Sequence, residues 1–219
     1  RPHTGVPELL GDLAERYRTV GVVSGRPVAF LAEHLPTSLV LSGQYGLESV
    51  VGGVQADLPE VEPWRTVVAE ATVRARKEVP AGARVEPKGL TLTIHYRGHP
   101  DLADRATELA RTIGAETGLV HREAKMSVEL VPPLSTSKAD VVRQLAAGAR
   151  AVLFVGDDIG DLAALHEVAA LRAAGMAAVG LAVDTPELPD AVRAGADLTL
   201  DGPAAVPDLL LALLGRSAS

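Results

Sequence analysis

The sequence predicts an α/β protein built on a doubly wound, Rossmann-like parallel sheet, with a smaller α+β domain inserted into it. At both ends of the 219-residue chain, short and wholly apolar segments alternate with segments of helical period. Strands that are apolar on both sides belong to a parallel sheet covered on both faces. The middle of the chain alternates apolar and polar residues instead, which is the pattern of an antiparallel sheet with one face open. With 47 % apolar residues, the chain can bury a full core.

Taken from the N-terminus, Val6, Leu9, Leu10, Leu13, Ala14 and Tyr17 recur at helical spacing and predict a helix over 5–18. VGVVSG then reads as a strand ending at Ser24-Gly25, and Pro27 suits the first turn of a helix over 27–35. LVLSG (39–43) and AVLFVG (151–156) are further short apolar strands. A helix over 161–174 stops at Gly175, a residue suited to the left-handed position after a helix. AAVGLAV (177–183) and DLTL (197–200) complete the strands, and an apolar helix over 204–214 ends the chain. In the middle, residues 64–79 and 101–116 read as amphipathic helices. In GLTLTIHYR (89–97), Leu90, Leu92, Ile94 and Tyr96 oppose Thr91, Thr93, His95 and Arg97. In KMSVELV (125–131), Met126, Val128 and Leu130 oppose Lys125, Ser127 and Glu129. Residues 1–61 and 134–219 are therefore assigned to the larger domain and 62–133 to the insert.

Composition narrows the function. A net charge of −7 without any basic run argues against nucleic acid as a partner. Aromatic residues, at 3 %, are too few to make stacking platforms for bases. The absence of cysteine excludes disulfides, thiolate metal sites and a cysteine nucleophile, and suits a reducing cytoplasm. No apolar run approaches the roughly 20 residues of a membrane span. The expected partner is a small molecule, and the oligomeric state is left open, a monomer sufficing.

The chemistry concentrates at helix starts. In GDDIGD, Asp157, Asp158 and Asp161 follow a strand end, where open α/β sheets bind ligands. Two carboxylates about 4 Å apart repel by about 4 kcal/mol at an effective dielectric of 20. A divalent cation such as Mg²⁺ removes that repulsion, whereas a single aspartate would only cap the next helix. Ser24-Gly25-Arg26 fits either an ordinary cap or a hydroxyl and amides placed for a phosphate oxygen. Lys138, capped by Ser135, Thr136 or Ser137, stands in a helix's first turn against the dipole, a position suited to an anionic ligand or to a solvated lysine. Acid cluster, serine and lysine together suit magnesium-assisted phosphoryl transfer. On the insert's polar side, Lys125 and Glu129 fit either a solvated ion pair or contacts to sugar hydroxyls.

These pieces resemble the haloacid-dehalogenase-like phosphatases. VVSGR is similar to that family's second motif, Lys138 to its third and GDDIGD to its fourth, with an α/β cap inserted between the second and third. Within the family, VVSGRP, SGQYGLE, KGLTLTIHYR, KMSVEL and GDD resemble the trehalose-6-phosphate phosphatases. The resemblance implies hydrolysis of a sugar phosphate by way of an aspartyl-phosphate. Ser24, with Gly25 and Arg26, would hold the phosphoryl group, and Lys138 would offset its charge. Asp157 would bind Mg²⁺, and Asp158 and Asp161 would support the metal or orient Lys138. Glu48, Lys125 and Glu129 would hold the sugar.

The sequence departs from the family pattern at several places. Gly160 and Leu162 replace a Thr and a Glu of the fourth motif, Val131 replaces an Arg, and Gln44-Tyr45 replaces Asn-His. No DxDxT, the family's first motif, is present; the expectation is that a segment carrying it and a central strand precedes Arg1, so that the VGVVSG and AVLFVG strands do not pair with each other. The alternatives to trehalose 6-phosphate are a sucrose-phosphate or mannosylglycerate-phosphate type of substrate, or an inactive sugar-phosphate-binding module.

Overall fold

The computed structural model describes residues 3–124 and 126–216. Contacts divide the chain into two units, residues 1–56 with 136–219, and residues 57–135. No helix among the described residues is long and apolar enough to cross a membrane.

The first unit begins with α1 (Val6–Arg16), whose apolar stripe packs on α8 (Ala205–Leu213) around Leu13, Leu210 and Leu214. β1 (Gly21–Val23) pairs in parallel with β2 (Val40–Gly43), and α2 (Val28–Ala32) connects them. β2 then pairs antiparallel with β3 (Glu48–Val51), and β3 with β4 (Val54–Gln55). This hairpin was absent from the expected elements. Gly52 and Gly53 both take positive φ at its tip, +58° and +78°, the conformation a two-residue turn between twisted strands requires.

A second sheet, all parallel, has the order β11 (Leu198–Leu200), β10 (Ala177–Val183), β9 (Ala151–Gly156). Its helices are α5 (Lys138–Ala146), α6 (Leu162–Ala173) and the short α7 (Asp190–Gly195). α6 lays Ala164 and Val168 on Val152, Phe154 and Ala178, with Val142 of α5 beside them. The VGVVSG and AVLFVG strands do not pair with each other, as expected. The parallel strands fall into two sheets, and β1 and β9 are each an edge. Burial is one-sided as well. Leu153 and Val179, opposite in register, and Leu198, opposite Leu181, are exposed on the face away from α6.

The second unit is α3 (Glu62–Glu78), β5 (Arg84–Pro87), β6 (Leu92–His95), α4 (Ala103–Thr117), β7 (Val120–Ala124) and β8 (Ser127–Val131). Its sheet is antiparallel throughout, in the order β5-β6-β8-β7. α3 and α4 bury Val68, Ala71, Ala75, Ala106, Ala110 and Ile113 against Leu92, Ile94, Val128 and Leu130, a core of this unit's own. Asp57 is tied to Arg65 of α3 by an ion pair, which fastens the entry segment to this unit. The expected strand over 89–97 is shorter. Residues 88–91 form a turn closed by the Thr91 carbonyl accepting from the Lys88 amide at 2.8 Å, with Gly89 at φ +82°. The polar side of this sheet is less open than expected, since Thr91, Thr93 and Ser127 are buried.

Candidate active site

The acidic loop after β9 is organised by Asp161, which is 5 % exposed. One carboxylate oxygen, Oδ2, accepts the backbone N–H groups of Asp157 and Asp158, each at 3.0 Å. The other, Oδ1, accepts from Lys138 Nζ at 2.5 Å. Gly156 makes this fold possible: a Cβ there would lie 2.5 Å from the Asp161 carboxyl carbon. Lys138 is 8 % exposed and stands in the first turn of α5, after Ser137, whose hydroxyl accepts from the Asp140 amide at 3.4 Å. A buried cation facing the positive end of a helix needs a counter-charge, and Asp161 supplies it. Removing one partner of such a pair costs about 3–5 kcal/mol.

The serine turn lies at the end of β1. Ser24 donates its amide to the Ser42 carbonyl at 2.9 Å, and its Oγ accepts from the Arg26 amide at 3.1 Å. The loop after β2 is laced to this turn, with the Tyr45 amide donating to the Ser24 carbonyl and the Gln44 amide to the Arg26 carbonyl, both at 3.0 Å. Gln44 and Tyr45 hold φ of +48° and +59°, followed by Gly46 at +102°. Two successive non-glycine residues in that region cost about 1–3 kcal/mol each and persist only where the surroundings impose them.

That strained loop aims the Tyr45 ring between the two sites. A Cβ on Gly25 would meet the ring Cζ and hydroxyl at 2.7 Å. A Cβ on Gly160 would lie 3.4 Å from the ring Cε1 and 4.0 Å from Lys138 Nζ. One tyrosine ring thus touches both the Ser24-Gly25 turn and the acidic loop, so serine, lysine and aspartates share one locality. Tyr45 and Gly160 enter the sequence reading only as departures from a family pattern. The signal that could have found Tyr45 is the pair of glycines that flank it in GQYG; nothing in the sequence marks Gly160.

The remaining predicted residues are placed differently. Arg26 is exposed, with its guanidinium 4.4 Å over the Phe30 ring. Glu48 Oε2 accepts from the Val28 amide at 2.9 Å, at the start of α2. In the second unit, Glu129 Oε1 accepts from Lys88 Nζ at 3.2 Å, Thr91 Oγ1 at 3.2 Å and Thr93 Oγ1 at 3.4 Å. Lys125 lies outside the described residues.

The three aspartates do not act as one metal cluster. Both oxygens of Asp161 are taken, and no group of three metal-ligating side chains converges among the described residues. Asp157 and Asp158 remain exposed, and the Asp158 side chain also caps the following turn in a capping box with Asp161. The Asp157 carboxyl is held above the usual carboxylate range, first by partial burial and then by the Asp161 and Asp158 charges, with Lys138 opposing. A cation would relieve that strain. Mg²⁺ typically takes one or two protein carboxylates and completes its shell with waters and substrate phosphate, so this donor pair fits it.

The family model for trehalose-phosphatase matches residues 1–191. Among solved structures, the chain is similar to a trehalose-6-phosphate phosphatase related protein, with 22 % identity and TM-score 0.79 over 97 % of this chain and 88 % of that one. It is similar to Aspergillus fumigatus trehalose-6-phosphate phosphatase, with 23 % identity and TM-score 0.60 over 98 % and 85 %. The Candida albicans trehalose-6-phosphate phosphatase C-terminal domain gives 21 % identity and TM-score 0.68 over 98 % and 84 %. At these identities the likenesses speak to the fold. No curated protein sequence matches the chain.

Proposed function

The chain belongs to the trehalose-phosphatase family of haloacid-dehalogenase-like phosphatases, and on that premise we propose that it hydrolyses trehalose 6-phosphate to trehalose and phosphate. The observation that carries the reading is the buried Lys138–Asp161 pair set beside the Ser24 turn, with Tyr45 bridging the two. Asp161 fixes the lysine ammonium, which keeps N–H donors for phosphoryl oxygens. The Ser24 hydroxyl accepts from the Arg26 amide and keeps its own proton for another phosphoryl oxygen. Asp157 and Asp158 would hold Mg²⁺, which would neutralise charge at the phosphoryl group. In the two-step route that the family resemblance implies, the phosphoryl group passes from the sugar oxygen to the carboxylate of a first-motif aspartate, a motif this sequence lacks; the sugar oxygen leaves with a proton, and water then attacks phosphorus to release phosphate and free the carboxylate. Ser24 and Lys138 orient and neutralise the phosphoryl oxygens in both steps. Glu129 accepts hydroxyl groups of the sugar.

Phosphate release from trehalose 6-phosphate, sucrose 6-phosphate and mannosylglycerate phosphate, with and without Mg²⁺, tests this. The reading expects trehalose 6-phosphate to be preferred and Mg²⁺ to be required. Asp157→Asn should impair turnover of every substrate, and Glu129→Ala should mainly impair use of the preferred one. Release from the other sugars alone refutes the substrate, and equal losses for all substrates in both variants refute the division of roles.

A further inference from the structure

The inserted unit contains a carboxylate that is held, rather than merely neutralised. β6 and β8 pair Thr93 with Glu129, β5 places Glu86 opposite Thr93, and β7 places Arg122 opposite Glu129. One row across the sheet therefore reads Glu86, Thr93, Glu129, Arg122, all on the side away from α3 and α4. The turn over 88–91 brings Lys88 and Thr91 onto the same carboxylate. All three donors, the Lys88 ammonium and the two threonine hydroxyls, fall on Glu129 Oε1. The ion pair is largely withdrawn from solvent, with 22 % of the Lys88 side chain and 16 % of the Glu129 side chain exposed.

A surface ion pair needs no such arrangement. Its two long side chains lose entropy to stay in one geometry, and the net gain is about 0–1 kcal/mol. Here two buried hydroxyls are added to the ammonium, and all are directed at one oxygen. A carboxylate oxygen offers about two lone-pair directions, so three donors saturate it. None of these three donors is directed at the second oxygen, Oε2. The carboxylate plane is thus fixed by one edge while the other edge remains an acceptor, as recognition of a polyol hydroxyl requires. Lys88 is also the cation that keeps this row of acids compatible. Burial raises the Glu86 carboxyl, but the His95 hydrogen bond and the Lys88 charge outweigh it and hold Glu86 below the usual range.

We propose that Lys88, with Thr91 and Thr93, is a positioning residue for sugar specificity: it clamps one oxygen of Glu129 so that the other meets a hydroxyl of the disaccharide. This rests on the reading that Glu129 contacts the sugar of trehalose 6-phosphate. Lys88 itself need not touch substrate.

The test is steady-state kinetics on trehalose 6-phosphate with Lys88→Met, Lys88→Arg, Glu129→Gln and the double variant Lys88→Met/Glu129→Gln, with the thermal midpoint of each recorded. Lys88→Met should raise KM about tenfold and leave kcat within about twofold, a loss of binding common to ground and transition states. Lys88→Arg should restore most of the KM. The double variant should be no worse than Glu129→Gln alone, because a residue that acts through Glu129 has no effect once Glu129 is disabled. A role in stability alone would instead lower the thermal midpoint without a KM effect, or make the two losses multiply, and either result overturns the proposal. A wild-type protein inert toward trehalose 6-phosphate overturns both the substrate reading and the proposal. An active wild type with an effect in Glu129→Gln and none in Lys88→Met overturns the proposal alone. Should Lys88→Met fold poorly, Thr91→Val/Thr93→Val carries the same expectation.

Discussion

Gly25 owes its identity to one neighbour, the ring of Tyr45. A methyl group at Gly25 would stand 2.7 Å from that ring, closer than any relaxed contact, and overpacking of this kind costs about 1–3 kcal/mol. Gly25→Ala is therefore expected to push Tyr45 aside and weaken inorganic phosphate binding about tenfold, measured by titration calorimetry. Gly25→Ala/Tyr45→Ala should recover part of it, and an unchanged affinity in the single variant would count against the arrangement. The Lys138–Asp161 pair makes a second prediction. Asp161→Leu alone should destabilise the fold by about 3–5 kcal/mol in urea titrations, since it strands a buried ammonium. Lys138→Met/Asp161→Leu should lose much less, because no uncompensated charge remains. Ser24, Lys138 and the three aspartates were legible as types at strand and helix ends. Their division of labour was not, because which oxygen of Asp161 meets which donor depends on how tightly the chain turns at Gly156. Nor was Glu48 readable as a partner of the Val28 amide, since that contact joins residues twenty positions apart.

Strands and helices with strong periodicity were read closely. β10 spans Ala177–Val183 as expected, α6 ends before Gly175, and α3 and α4 fall within two residues of their expected starts. The elements that escaped are short and charged. β5 reads RVEP and β7 reads VHREA, edge strands whose charges discourage pairing with other chains and at the same time erase the apolar alternation. The β3–β4 hairpin was signalled by Gly52-Gly53 between valines, but two short strands carry little pattern of their own. Some element contacts rest on charge. Asp197, just before β11, accepts the Gly180 amide of β10 at 2.8 Å and pairs with Arg172 of α6. The Gly180 hydrogen bond first, and then Arg172, hold its carboxyl below the usual aspartate range. A depressed folded-state value stabilises the fold above the unfolded-state value and ceases to do so as pH falls through the folded-state value. Asp197→Asn should therefore lower the thermal midpoint at pH 7, and the difference should shrink steadily below about pH 4. A difference independent of pH would place the effect in packing instead.

The chain as a whole is two units with separate cores, one continuous in sequence and one split around it. The switch from wholly apolar to alternating segments made that organisation readable, because each pattern demands a different kind of sheet. That β1 and β9 do not pair was expected from the absent first motif and not from hydropathy, in which hydrogen-bond partners leave no trace. The continuous unit buries a core of its own around Val68, Ile94, Ile113 and Leu130, so a fragment of residues 57–135 should melt cooperatively on its own by circular dichroism. A broad, non-cooperative transition would mean that its core depends on the rest of the chain. The account as a whole turns on a single phosphate grip made by Ser24 and Lys138 beside the acidic loop. Phosphorus NMR titration of trehalose 6-phosphate with the full chain tests it most directly. The ester resonance should shift and broaden with wild-type protein and stay at its free position with Lys138→Met, recorded at a temperature where circular dichroism shows that variant folded, whereas the same shift with both proteins would contradict the account.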